Sequence, residues 1–383
     1  MRVNDVVVRT PSPAEFSALE RFLEAAYGHS FRYFSRSYPH LYRPDPDALD
    51  ASLVAEQGGA IVSHVGAFPL EIAAGPARIP TGGIGGVATV PQVRGQGLMS
   101  RLMREAIARM RRRGNVLSVL WGDRQRYRHF GYEVCGVQWN LTFTPRSLAA
   151  VQVKAAPVAE ADPNDPAVAP VVGALHRRCP FRVERPRLDL MLRKEGVRVF
   201  LGDDGYALVR GERGGEVRVL EVVSARDDEP GLVAGIMAKT FSGSASLAVF
   251  PAEGAPARRL VRAAARWSAS PQGLFRILDW PGLAVALRPL LEERARFLAP
   301  FELAVGCRDV GDDGESAATT YATLRWDGRD FAVEPGRSTS TAVEVEQVEL
   351  VGLLLGGPYR PAPSGILERL FPVPVHVPLL DHV

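Results

Sequence analysis

Between Gly83 and Tyr132 the sequence commits the chain to one local arrangement: strand, glycine turn, helix, strand. The apolar run Val87-Ala88-Thr89-Val90-Pro91 reads as a strand. It turns through Gln92-Val93-Arg94-Gly95-Gln96-Gly97 into a helix. There Leu98, Met99, Leu102, Met103, Ala106, Ile107 and Met110 share one face, and Arg101, Arg104, Arg109 and Arg111 to Arg113 face away. Gly114 ends that helix. A second apolar run, Val116 to Trp121, follows at once, and it must lie parallel to the first because a helix is the crossover between them. Gly95 and Gly97 allow a tight turn with bare N–H groups at the positive end of the helix dipole, and Arg94 adds a fixed charge. Such a loop is suited to hold phosphate.

A Gly-x-Gly pair occurs in phosphate loops of several kinds, so its surroundings decide between them. No Gly-Lys-Ser/Thr follows, which excludes the nucleoside-triphosphatase loop, and the third glycine of the dinucleotide fingerprint is missing. After the second strand comes Tyr127-Arg128-His129-Phe130-Gly131-Tyr132. This order, strand, Gln-x-x-Gly-x-Gly, helix, strand, Tyr-x-x-Phe-Gly-Tyr, resembles the acetyl-CoA-binding core of the GNAT acyltransferases.

The 383 residues exceed one such core, so two or three domains are expected. A hydrophobic content of 46% with 23% charged residues is that of a globular chain, and a net charge of +3 gives no case for nucleic acid as a partner. Cys135, Cys179 and Cys307 are single and widely spaced, which argues against a disulfide framework or a metal site. No signal-type stretch and no run of about 18 apolar residues occurs, so a cytoplasmic protein without membrane partners is expected.

In chain order, Val6 to Arg9 reads as a strand, and Ser12-Pro13-Ala14-Glu15 as a capping box opening an amphipathic helix. Tyr27 to Tyr42 is rich in aromatic residues, fitting either a pocket wall or a second helix. Ser52 to Glu56 and Ala60 to Phe68 form a hairpin across Gln57-Gly58-Gly59, and Leu70 to Ala73 with Ala77 to Ile79 suggest a further short pair. Beyond Gln138 to Phe143, a proline-punctuated stretch marks a boundary near Val151. Val197 to Leu201, Tyr206 to Arg210 and Val217 to Val223 then read as strands, Leu232 to Phe241 as a helix, Ser246 to Phe250 as a strand and Ala257 to Trp267 as a basic helix. This repeats the strand, helix, strand order without the glycine or tyrosine motifs. A last unit begins near Arg276, with strands at Phe301 to Val305, Tyr321 to Trp326 and Arg329 to Glu334 and a helix at Val345 to Leu355. The tail from Pro372 to Val383 is apolar, as expected of a segment docked in a groove.

That layout resembles the Eis-type (enhanced intracellular survival) GNAT acetyltransferases. The resemblance implies an α/β (α+β) chain: a catalytic GNAT domain at 1–150, a second GNAT-like domain without the CoA motif at 151–275, and a sterol-carrier-protein-like domain with docked tail at 276–383. It further implies acetyl-CoA as acyl donor without a metal, a primary amine of a small molecule (aminoglycoside-like or polyamine) or a peptide lysine as acceptor, and a homo-oligomer, commonly a hexamer. By position, Val87 and Thr89 correspond to the strand that pairs with the pantetheine arm. Arg94, Gly95, Gln96, Gly97 and Leu98 correspond to the pyrophosphate loop, and Tyr127 to the general acid, with Tyr132 as its packing partner.

An amine that attacks a thioester needs an acid for the departing thiolate and a base for its own proton. No carboxylate lies between Gly83 and Val90. The family's base is the chain's terminal carboxylate, here that of Val383, with His382 or a water held by both as alternatives; Asp123 and His64 are weaker candidates. Two other readings stand beside this one: a lipid or sterol carrier with a vestigial acyltransferase half, and an acyltransferase using another donor.

Overall fold

The structure, a computed structural model, describes residues 6–211, 215–310, 316–358 and 365–383. Its strands, in chain order, are β1 (Val7–Arg9), β2 (Ser52–Gln57), β3 (Ala60–Ala74), β4 (Ala77–Thr89), β5 (Leu117–Leu120), β6 (Glu133–Cys135), β7 (Gln138–Phe143), β8 (Ala159–Ala161), β9 (Phe181–Val183), β10 (Arg198–Gly202), β11 (Gly205–Arg210), β12 (Glu216–Ser224), β13 (Ser244–Val249), β14 (Arg266–Ser270), β15 (Gly273–Ile277), β16 (Phe301–Val310), β17 (Ser316–Trp326), β18 (Phe331–Pro335) and β19 (Ala342–Glu346). They form three sheets. The first runs β1-β2-β3-β4-β5-β15-β6 with β9 beside β3, the second β14-β7-β13-β12-β11-β10-β8, and the third β18-β17-β16-β19. The mixed α/β fold class is the one expected from the sequence.

The first sheet is built on one long hairpin. β3 and β4 pair from Ser63↔Thr89 to Ala74↔Ala77, so the short strands read around Gly75-Pro76 are the far end of this hairpin. Gly82, Gly83, Gly85 and Gly86 hide the strand in the sequence, because glycine carries no alternating hydrophobic signal. A bulge lies between Gly85 and Ala88, where β4 has one residue more than β3. β4 runs parallel to β5 only from Thr81↔Leu117 to Ile84↔Leu120. Past that point Gly85–Thr89 continue without β5, and the sheet forks.

The crossover helix Leu98–Arg112 buries Leu98, Leu102, Met103, Ala106, Ile107 and Met110. Each of the larger side chains contributes about 1.5–3 kcal/mol of transfer free energy before ordering costs. Its arginine end is not simply solvated: Arg111 donates to the Leu278 carbonyl at 2.9 Å and pairs with Asp309 of β16, and Arg113 pairs with Asp50.

The first two sheets exchange strands. β7 precedes residue 150 yet pairs with β13 and β14 in the second sheet. β15, which follows β14 in the chain, inserts between β5 and β6 in the first. The second sheet repeats the parallel unit, with β12 and β13 joined by the helix Glu229–Thr240. The third packs against the helix Trp280–Ala295, whose Trp280, Leu283, Leu287 and Leu291 are buried and whose indole donates to the Val305 carbonyl at 2.7 Å. The basic helix read over Ala257 to Trp267 ends at Ala263, and Arg266–Ser270 is instead the edge strand β14. Likewise the helix read from Val345 begins at Gln347, after β19.

Candidate active site

The tail is docked along its whole length. Val373, Val375 and Val377 are buried, and the Gln272 side-chain oxygen accepts from the Val377 N–H at 3.3 Å. Lys194 donates to the Leu380 carbonyl at 2.5 Å. Asp381 is buried against Arg185, which reaches its carboxylate with two N–H groups at 2.8 and 2.7 Å and also grips Glu221 of β12 at 2.8 and 2.6 Å. His382 stacks on Trp121, with ring centroids 3.6 Å apart. The chain thus ends at the fork of the first sheet.

Two glycines of β4 make room for that end. A Cβ on Gly83 would lie 2.6 Å from Val383 Cγ2, and one on Gly85 would lie 2.7 Å from the Val383 carboxyl carbon and 2.9 Å from its oxygen. Val383 also packs against the aromatic cluster of Phe34, Tyr42 and Phe68, joined by Tyr33 and Tyr38. All of these rings except Phe68, which stands on β3, come from the Tyr27 to Tyr42 stretch, which folds mostly as irregular chain with one short helix, Tyr33–Ser37.

The bulge is held from the other side. Gly86 has φ +61°, its carbonyl accepts from His64 Nδ1 at 2.7 Å, and His64 Nε2 meets Ser52 Oγ at 3.1 Å. Burial pushes His64 down to about 4, so it is a neutral structural group at neutral pH. Asp123 caps the short helix Arg124–Tyr127 by accepting from the Gln125 N–H at 2.8 Å. Both weaker base candidates therefore have backbone-holding roles.

On the outer side of the fork an open cavity of about 660 Å3 is lined by Val87, Thr89, Arg94, Gly95, Gly97 and Leu98, together with Tyr27, Met99, Ser100 and Arg126. Of the loop and strand residues singled out in the sequence, Gln96 does not line it. Gly95 and Gly97 have φ +79° and +77°, and a Cβ on either would meet nothing within 4 Å. Backbone conformation, not crowding, requires glycine there, and the space in front is free for a ligand. The first helical bond runs from the Arg101 N–H to the Gly97 carbonyl at 3.0 Å, so the amides before it belong to the loop and the cavity. These residues fit a phosphate-bearing donor.

Tyr127 is 6% exposed, and burial raises its phenol, with Arg126 partly opposing. Its ring lies over Gly122, where a Cβ would be 2.7 Å away. Tyr132 is fully buried and shares a 2.8 Å hydrogen bond with Ser118 Oγ, the packing role expected of it. Tyr27 and Arg126 were not singled out as cofactor residues from the sequence. Tyr27 donates to the Val87 carbonyl at 2.9 Å, and burial followed by Tyr127 pushes its phenol up to about 12. Its place as the first ring of an aromatic stretch was the available signal.

Among the described residues, no helix is long and apolar enough to cross a membrane. The family model of the acetyltransferase (GNAT) domain matches residues 7–135. A search of curated proteins by sequence found no match. Among solved structures, a GCN5-related N-acetyltransferase from Kribbella flavida is similar over 99% of this chain and 100% of its own, at 19% identity and TM-score 0.73. A probable N-acyltransferase from Enterococcus faecalis V583 covers 93% of this chain and 90% of its own, at 18% identity and TM-score 0.68. Eis1 from Mycobacterium abscessus covers 92% and 90%, at 16% identity and TM-score 0.63. The chain thus carries a GNAT acetyltransferase domain at residues 7–135, set in a full-length fold that these solved structures share.

Proposed function

We propose that this protein is an acetyl-CoA-dependent N-acetyltransferase that acts on a primary amine of a small molecule or of a peptide lysine. Three observations support the reading: the glycine loop lines an open cavity together with Tyr27, the buried phenol of Tyr127 lies near enough to raise that of Tyr27, and the carboxyl end of Val383 lies against Gly85 of the strand that leads into the loop. Val87 and Thr89 offer a strand edge to the pantetheine arm, and Arg94, Gly95, Gly97 and Leu98 receive the pyrophosphate, with Gln96 beside them. Acetyl-CoA supplies an activated acyl group whose carbon–sulfur bond breaks as a carbon–nitrogen bond forms. Tyr127 gives its proton to the departing sulfur. The Val383 carboxylate takes the proton that the amine loses.

Of the alternative bases, His382 is held down to about 3 by burial, Lys194 and His376, which makes it a poor proton acceptor near neutral pH. We keep the carboxylate as the base for its place against Gly85 of β4, whereas the His382 ring is stacked on Trp121. In this reading 151–275 is a second GNAT-like unit without the motif and 276–383 a sterol-carrier-like unit. The protein is homo-oligomeric, with exposed Trp267, Phe241 and Phe297 as contact points.

The test is thiol release from acetyl-CoA in the presence of a panel of primary amines. Amine-dependent release that saturates with acetyl-CoA is expected. Calorimetric binding of acetyl-CoA without release for any amine class would overturn the acceptor, and no binding by the folded protein would overturn the donor.

A further inference from the structure

The second sheet also forks. β12 and β13 pair in parallel from Glu216↔Ser244 to Val219↔Leu247, after which β12 continues through Ser224 and β13 through Val249. Between the diverging ends lies a cavity of about 250 Å3.

Its chemistry is unlike that of the first fork. The loop from β12 into the helix Glu229–Thr240 reads Ala225-Arg226-Asp227-Asp228, with no glycine. Asp228 accepts from the Gly231 N–H at 3.1 Å, and Glu229 stands in the first turn. The helix end is therefore already met by carboxylates, and a phosphate would be repelled. The walls are apolar and aromatic: Leu220, Leu247 and Phe181 line the cavity, and Phe181 packs edge-on against Phe250, which stacks on His376 at 4.8 Å.

One charge in this cavity is left over. Glu221 is matched by Arg185 at 2.6 Å and Glu229 by Arg259 at 2.9 Å. Glu253, at the end of the turn Pro251–Glu253, lines the cavity; its backbone N–H donates to the Phe250 carbonyl at 3.1 Å, but its carboxyl has, among the described residues, no hydrogen-bond or ion-pair partner. Burial, then Glu221 and Glu229, push its carboxyl up to about 8. Cys179, His176, Asp227 and the exposed Arg178 also line the cavity, with the neutral Gln138 and Ser224, and His376 faces it from the tail, kept neutral by a pKa near 4.

We propose that this second fork binds a small organic cation with an apolar body, an amine or quaternary ammonium, whose charge is met by Glu253. The aromatic wall suits the body of such a ligand, and the acidic loop excludes the anions that the first fork attracts. The roof is His376, Pro378 and Leu379, so an occupant touches the segment that ends at Gly85.

The test is calorimetric titration of the full chain with benzyltrimethylammonium, which has a fixed charge and cannot be acetylated. Binding requires the ionised carboxylate, so affinity should rise about tenfold per pH unit below pH 8 and level off above it, with one proton released per ligand at the lower pH. Glu253→Gln should weaken binding at pH 8.5 by about tenfold or more and flatten the pH profile. A variant that binds as well as the parent, or a parent that does not bind, overturns the proposal. If the variant does not fold, the parent gives an independent readout. Titrations of the parent at pH 7 in two buffers of different ionisation enthalpy should show the proton release that a carboxyl raised to about 8 demands, and binding without proton release overturns the site.

Discussion

The two forks share a backbone and differ at their mouths. In each, a parallel strand pair joined by one helix splays apart, at Ile84/Leu120 in the first sheet and at Val219/Leu247 in the second. The first enters its helix through Gly95 and Gly97 with an arginine beside them, and the second through two aspartates. A splayed sheet is thus a cleft without fixed chemistry. The few loop residues at its mouth decide whether it receives an anion or a cation. The tail is the element common to both: it roofs the second fork with His376 to Leu379 and ends in the first at Val383.

The sharpest test of that contrast removes the chemistry from the first fork alone. Tyr127→Phe should lower turnover by about 10²–10⁴-fold while acetyl-CoA binding, measured by calorimetry, stays within about twofold. Unchanged turnover would remove Tyr127 as the acid. Next comes the tail. Deleting His382 and Val383 while keeping Asp381 should cost about 10²-fold in turnover with little change in the melting midpoint. Removing Asp381 as well takes away one of the two carboxylates that face the buried Arg185, leaving Glu221, and the lost charged hydrogen bonds cost about 1.5–3 kcal/mol of stability, so the longer deletion confounds folding with catalysis. A fully active shorter deletion would end the base assignment.

Gly85→Ala probes the same contact from the sheet side. The added methyl meets the Val383 carboxyl, and overpacking of about 1–3 kcal/mol should push the tail aside and lower turnover, with acetyl-CoA affinity retained. Equal activity would mean that the tail end adapts freely.

The smallest effect compares one buried histidine from each fork. His64 in the first and His376 in the second have folded pKa values near 4 against about 6.5 unfolded. Below about pH 6.5 the unfolded chain takes up protons that the folded chain refuses, so stability falls as pH drops, until about pH 4. Each histidine contributes about 1.4 kcal/mol per pH unit in that window. Denaturant melts at pH 6.5 and 5.5 should therefore show a smaller loss in His64→Gln and in His376→Gln than in the parent. Parallel curves would mean that these side chains take up protons without unfolding.

Much of the first fork was legible in the sequence because its signals are local. The glycine loop, the amphipathic helix and Tyr127 sit within one short stretch whose periodicity and turn residues agree with one another. The second sheet's strands were legible for the same reason, from Val197 to Phe250. What could not be read was long-range or masked. β14 is an exposed edge strand with no buried face to impose alternation. The helix Trp280–Ala295 runs on through Pro289, a residue that in the sequence argues against a helix interior. The glycines at 82, 83, 85 and 86 carry no hydrophobic code at all. Their meaning lies in Met110, Val383 and Tyr42, residues that only the fold brings to them. Arg185, which anchors the tail, and Glu253 likewise drew no notice, since a charged residue becomes informative only once it is known to be buried.

The strand exchange between the first two sheets has a consequence for how this protein is made. β15 stands between β5 and β6, so the sheet that carries the glycine loop lacks an interior strand until residues 273–277 have been synthesised. β7, finished long before, waits for β13 and β14. A ribosome that has produced only the first 150 residues has therefore released a segment with the unpaired edge of Leu117–Leu120 on display and with Gln138–Phe143 as a strand without neighbours. Folding must be completed late and jointly, and the stretch between residues 136 and 272 is a period of exposure during which a nascent chain of this design depends on protection.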